Sequence, residues 1–96
     1  MTSKQRAYLR SLAMTMDPIF QIGKSSLTPE FTTAISEALE ARELIKMRVL
    51  ETCPESSRTA ADTIAARVGA DVVQVIGYRF ILYRESKNNK TIKLVK

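Results

Sequence analysis

The residues whose types and spacing could do chemistry lie between Ile22 and Pro29, where Gly23, Lys24, Ser25, Ser26 and Thr28 join an apolar run to a helix start. Unpaired backbone N–H groups and the helix dipole favour a bound anion at such a junction. Gly23 allows a ligand close to the backbone, Lys24 adds a mobile positive charge, and the hydroxyls of Ser25, Ser26 and Thr28 can donate to phosphate oxygens. The same residues also describe a plain strand-to-helix turn closed by a capping threonine, and on their own they leave both readings open. A nucleotide-hydrolysing P-loop is excluded. Its pattern needs a glycine five residues before the glycine that precedes the lysine, and Pro18 stands there.

Other chemistries are poorly supplied. Cys53 is the single cysteine and histidine is absent, so neither an internal disulfide nor a Cys/His zinc site can be assembled. The commonest general base is missing, and no cluster of carboxylates or lysines replaces it, so the expectation is a protein that is not an enzyme and needs no cofactor. The net charge of +5, from 15 Lys and Arg against 10 Asp and Glu, points to polyanionic partners. From Arg79 onward, Arg79, Arg84, Lys87, Lys90, Lys93 and Lys96 are opposed only by Glu85. A solvated tail explains such a run equally well. No apolar stretch approaches the ~18–20 residues that span a bilayer, and the N-terminus has no signal-like segment, so a cytoplasmic protein without membrane contact is expected.

The elements that must position the loop can be read from capping and periodicity. With 96 residues the chain is expected to close one core and form one domain over 1–96. Thr2 and Gln5 have capping-box spacing, and Tyr8, Leu9, Leu12, Ala13 and Met16 recur at helical intervals, which predicts a helix from Ser3 to Thr15. Ile19 to Ile22 reads as a buried strand between Pro18 and Gly23. Thr28 and Pro29 open a second helix that runs to Arg42. In Leu44 to Leu50, Ile45, Met47 and Val49 alternate with Lys46 and Arg48, which predicts a strand with one covered and one wet, basic face.

Ser56 and Ser57 supply an N-cap, Ala60, Ala61, Ile64, Ala65 and Val68 form a helical stripe, and Gly69 is the expected C-cap. Val72 to Ile76 and Arg79 to Arg84, parted by Gly77 and Tyr78, read as a tight antiparallel hairpin. Lys87 to Lys90 reads as a polar loop, and Ile92, Leu94 and Val95 alternate over too few positions to establish a fifth strand. The predicted order is α-β-α-β-α-β-β, an α/β fold with a four-stranded mixed sheet packed with three helices.

A family resemblance spans nearly the whole chain. Gln21 to Thr28, then Ala38 Leu39 Glu40, then Glu43 Leu44 Ile45 Lys46, then Ala70 to Gly77 and Leu82 Tyr83 Arg84 occur in the order and spacing of the CRM domain, of the single-domain YhbY-like bacterial type. The resemblance implies an RNA-binding α/β domain, similar in fold to the C-terminal domain of bacterial translation initiation factor three. It also implies a GxxG-type loop that contacts RNA, and an association with precursors of the large ribosomal subunit. The loop falls on Gly23 to Ser26, with Ser26 in place of the second glycine. A Cβ there restricts the approach of a sugar-phosphate backbone, although the hydroxyl can still donate.

Around Lys24, the candidate RNA contacts are Lys4, Arg6 and Arg10 from the first helix, Lys46 and Arg48 from the second strand, and Arg79 and Arg84 from the last hairpin. For each of these, generic surface charge is the competing explanation. Tyr78 is expected to pack its ring on the surface rather than stack on a base, and Tyr8, Phe31, Phe80 and Tyr83 are assigned to the core. A monomer is expected. The alternative from another class is an adaptor that docks an acidic protein on the basic face or accepts a strand at a sheet edge.

Overall fold

A computed structural model describes residues 1–24 and 27–94. Its order is α1 (Ser3–Ala13), β1 (Phe20–Ile22), α2 (Pro29–Arg42), β2 (Leu44–Val49), α3 (Ser57–Val68), β3 (Asp71–Ile76) and β4 (Arg79–Tyr83). The sheet has the order β1-β2-β4-β3. β1 runs parallel to β2, while β4 is antiparallel to both β2 and β3. The expected fold, element order and mixed sheet are all present.

Local chemistry sets the helix boundaries. Thr2 and Gln5 form the full capping box, and Thr28 and Ser56 each accept from the backbone N–H three residues on. Gly69 ends α3 at φ 67, a left-handed conformation that costs a side-chain-bearing residue about 1–2 kcal/mol. α1 stops at Ala13, short of the expected Thr15, and Met14 to Met16 close the turn with a Met16 N–H bond to Ala13.

Alternation along the strands divides the core between the two faces of the sheet. Ile45, Met47 and Val49 of β2, with Phe80 and Leu82 of β4, pack beneath Ile35 and Leu39 of α2 and the small residues Ala60, Ala61 and Ala65 of α3. Leu44, Ile81, Tyr83 and Val73 point to the other face and meet Leu9 and Ala13 of α1. Two helices therefore cover most of one face, while the single three-turn helix α1 covers only part of the other.

The segment beyond β4 adds no fifth strand among the described residues; Ile92 and Leu94 instead pack irregularly against the α1-side core, and Val95 lies outside the described residues. The reason is visible in its hydrogen bonds. The backbone N–H groups of Ser86, Thr91 and Ile92 go to the Glu43 carboxylate, at 2.8, 2.6 and 2.8 Å, rather than to a neighbouring strand.

Candidate nucleic-acid interface

The parallel β1–β2 pair and the antiparallel β2–β4 pair bring three connections to one end of the sheet. Ile22 pairs with Val49, and Arg48 pairs with Arg79. The loop that begins at Gly23, the connection after Val49 and the Gly77–Tyr78 turn therefore lie side by side. Two further bonds tie them together, from Leu50 N–H to the Ile22 carbonyl at 2.8 Å and from Val49 N–H to the Tyr78 carbonyl at 2.6 Å. Gly77 takes φ 57 at the first position of the two-residue turn, where glycine enters the left-handed region without strain.

The row nearest that end, on the face shared with α1, reads Gln21, Arg48, Arg79, Ile76 across the strands. Arg48 and Arg79 are both exposed and directly opposite each other, an arrangement that destabilises a sheet by like-charge repulsion. Lys46 lies two residues before Arg48 and so shares its face. From α1, Arg10 reaches the same groove as Lys46 and Arg79. Lys4 is exposed one turn before Ala7, on the α1 stripe that borders the groove. None of Lys4, Arg10, Lys24, Lys46, Arg48 and Arg79 has an acidic partner among the described residues, where the ion pairs are Arg58–Asp62 and Lys90–Glu85. Glu51 marks the boundary of the patch beyond Arg48.

Lys24 is exposed at the loop, and Thr28 caps α2 by accepting from the Phe31 N–H at 3.1 Å. Ser25 and Ser26, the other two loop candidates, lie outside the described residues. One cation that sequence reasoning missed stands beside the loop: Arg67 of α3 donates to the Leu27 carbonyl at 3.3 Å. Forty residues separate them, and no local pattern joins them.

Two candidates belong elsewhere. Arg84 turns to the opposite face of the sheet, where its guanidinium donates to Ser36 Oγ at 2.9 Å, the Val68 carbonyl at 2.9 Å and the Ser36 carbonyl at 2.7 Å. It ties α2 and α3 to the end of β4, because one residue past Tyr83 the alternation reverses its face. Arg6 donates to the Val72 and Val73 carbonyls, the latter at 3.2 Å, at the bulge in β3. It pins α1 to that edge. Arg84 thus faces away from the patch, and Arg6 commits its Nη1 to the β3 edge.

The assignments of aromatic residues also divide. Phe80 and Tyr83 are buried, whereas Tyr8 and Phe31 are half-buried, with Phe31 edge-on to Phe20 at a centroid distance of 5.6 Å. Tyr78 is 64% exposed and lines shallow surface depressions with Val49 and Leu50. It stands near Arg48 at the end of the sheet.

Opposite in character is the clasp at the other end of β2. Glu43, fully buried at φ 66 after α2, accepts from the backbone of Ser86, Thr91 and Ile92 and from Thr91 Oγ1 at 3.2 Å. Burial by itself would raise its carboxyl pKa; those bonds outweigh burial and hold it below the usual carboxylate value. Glu40 accepts from Ser86 Oγ and from the backbone of Asn88 and Lys87, which lowers its carboxyl likewise. Sequence reasoning assigned neither residue a role.

Fold and site together define a small α/β domain with an exposed basic face at one end of its sheet. Residues 1–84 match the family model for the CRS1 / YhbY (CRM) domain, and the chain belongs to that family. It is 45% identical over 94 residues to the probable RNA-binding protein YqeI of Bacillus subtilis, with 98% of each chain covered. It is 32% identical over 90 residues to an RNA-binding protein of Haemophilus influenzae, with 94% of this chain and 91% of the relative covered. Among solved structures, the solution structure of the hypothetical protein SAV1595 from Staphylococcus aureus superposes with a TM-score of 0.81 at 45% identity, with 99% of each chain covered.

Proposed function

We propose that this protein binds RNA across the end of the sheet, and that its RNA is ribosomal RNA in precursors of the large ribosomal subunit. The observation that carries the reading is the Arg48–Arg79 pair: two exposed guanidinium groups held opposite each other, with Lys46 on the same face and no carboxylate between them. A fold stabilised only for its own sake would not keep that repulsion; a phosphate backbone laid over it turns repulsion into affinity. Gly23, Lys24 and Thr28 extend the contact surface at one side, Arg10 and Lys4 extend it along α1, and the CRM resemblance adds Ser25 and Ser26 to the contacts. The names of the relatives support RNA as the ligand, and the CRM resemblance supports the pre-ribosomal assignment. The protein acts as a cytoplasmic monomer and binds without catalysis.

The adaptor alternative has less to work with. β1 offers an edge of only three residues, and Arg6 occupies the Val72 and Val73 carbonyls on the β3 edge, so strand addition has little free backbone on either side. Sedimentation tests the proposal. Tagged protein should comigrate with large-subunit precursors in a nuclease-sensitive way, and Arg48→Glu should release it; recovery with a protein partner that persists after nuclease treatment overturns the reading.

A further inference from the structure

Beside the basic row, α1 leaves a groove of about 470 Å³ between itself and the uncovered half of the sheet, within the ~300–1,000 Å³ range of small-molecule sites. Its walls are apolar. Ala7 and Ala13 keep the helix side low, Ile81 forms part of the sheet side, and Met14 and Ile76 flank it. Met14 is 76% exposed and Ile76 59%, so two large apolar side chains stand in water at one groove, beside the cations Arg10, Lys46 and Arg79. Single exposed apolar residues need no explanation, but two at one concave site ringed by positive charge mark a place where an amphipathic anion is covered.

We propose that this groove is a nucleobase site, in which one unstacked base from a single-stranded RNA segment lies against Met14 and Ile76 while its flanking phosphates meet Arg10, Lys46 and Arg79. The inference rests on the RNA-binding reading and adds the class of RNA that the face selects. An intact duplex keeps its bases stacked and offers phosphates and sugars at its surface, which would satisfy the cations but leave Met14 and Ile76 uncovered. A splayed nucleotide satisfies both. It joins a flat, weakly polar ring to anions a few ångströms away, matching the apolar walls and the basic rim. Gln74 also lines the groove, and its side-chain amide carries both a donor and an acceptor for the edge of a base.

The test compares an unstructured single-stranded oligoribonucleotide with a blunt RNA duplex, by fluorescence anisotropy on the full chain. Ile76→Gln and Met14→Gln keep charge and approximate size at exposed positions, and unchanged melting temperatures will show that both variants fold. Each substitution should weaken single-strand binding by roughly fivefold, the scale of losing part of one buried apolar side chain, and leave duplex binding unchanged. A photoreactive uridine in the single strand should crosslink to Met14 or Ile76. If RNA binding is lost with Arg48→Glu but indifferent to both groove variants, the groove assignment is overturned and the RNA reading stands. If the wild-type chain binds neither RNA at low salt, both fall. If Ile76→Gln instead releases an acidic protein and spares RNA, the occupant is a protein and the nucleobase site is overturned.

Discussion

Charged groups are treated in opposite ways at the two ends of β2. At the C-terminal end of α2, the Glu40 and Glu43 carboxylates take hydrogen bonds from the 86–92 segment, and Glu43 is fully buried. At the far end, Arg48 and Arg79 face each other in water, near Lys46 and Arg10, without a carboxylate partner among the described residues. The first arrangement spends charge on holding the chain together. The second keeps charge available, at some cost to the sheet. A charged residue is informative about function when its partner is missing, and the two regions should respond to mutation along different axes.

The largest effect is expected at the clasp. Glu43→Ala removes the acceptor for several backbone donors and should destabilise the fold by about 3 kcal/mol in urea unfolding, the scale of stranding buried polar groups. RNA affinity per folded molecule should stay within twofold or so, since only the structural end is touched. If affinity collapses with stability, the two ends are not separable as described.

The clasp also predicts a direction with pH. The folded-state pKa values of Glu40 and Glu43 lie below the usual carboxylate value of 4.5. Carboxylates depressed in the folded state contribute stability that is complete above their unfolded pKa and is lost as pH falls through the folded one. Melting temperature should therefore be flat in this contribution near neutrality and drop below the ordinary carboxylate range. With Glu43→Gln that acid-side loss should shrink, and a titration in which it does not would remove Glu43 as its source.

At the basic end the expected order runs from charge reversal to charge removal. Arg48→Glu with Arg79→Glu should reduce RNA affinity roughly a hundredfold at low salt, while the urea midpoint changes little. Lys24→Gln should cost only a few-fold and reduce the slope of log affinity against log salt by about 1, the signature of one lost phosphate contact. The smallest effect sharpens the comparison most. Arg79→Gln relieves the like-charge pair and should raise stability by about 0.2–0.5 kcal/mol while it weakens RNA binding. Loss of stability in that variant would mean that Arg79 belongs to the fold, like Arg84, and not to the open face.

The contrast between Arg84 and Arg79 shows how much of the site could be read from the chain. Arg79 opens β4 and Arg84 directly follows its last residue, and composition treats them alike. Their faces differ by the parity of their positions, and the use of each face depends on what covers it: α2 and α3 provide Ser36 and the Val68 carbonyl to Arg84, whereas Arg79 borders the open groove beside α1. The contacts of Arg6 escape local pattern for a related reason. Its acceptors exist only because the β3 bulge lies under the N-terminal half of α1. The positions of Lys24 in a loop and of Thr28 at a helix cap were legible because these are local features.

By itself the sequence determined the elements and their order. Capping residues, helical stripes and strand alternation act over a few residues, so Thr2, Thr28, Ser56 and Gly69 mark boundaries wherever the helices end up. Its excess of basic residues also determined that a polyanion was the partner to look for. Only the tertiary structure decided which cations are free, because the pairing of Arg48 with Arg79, the capture of Arg84 and Arg6, and the Glu43 clasp are all made between residues far apart in the chain. Electrostatic and hydrogen-bonding partners are set by distance in space, and short-range sequence pattern carries no information about that distance.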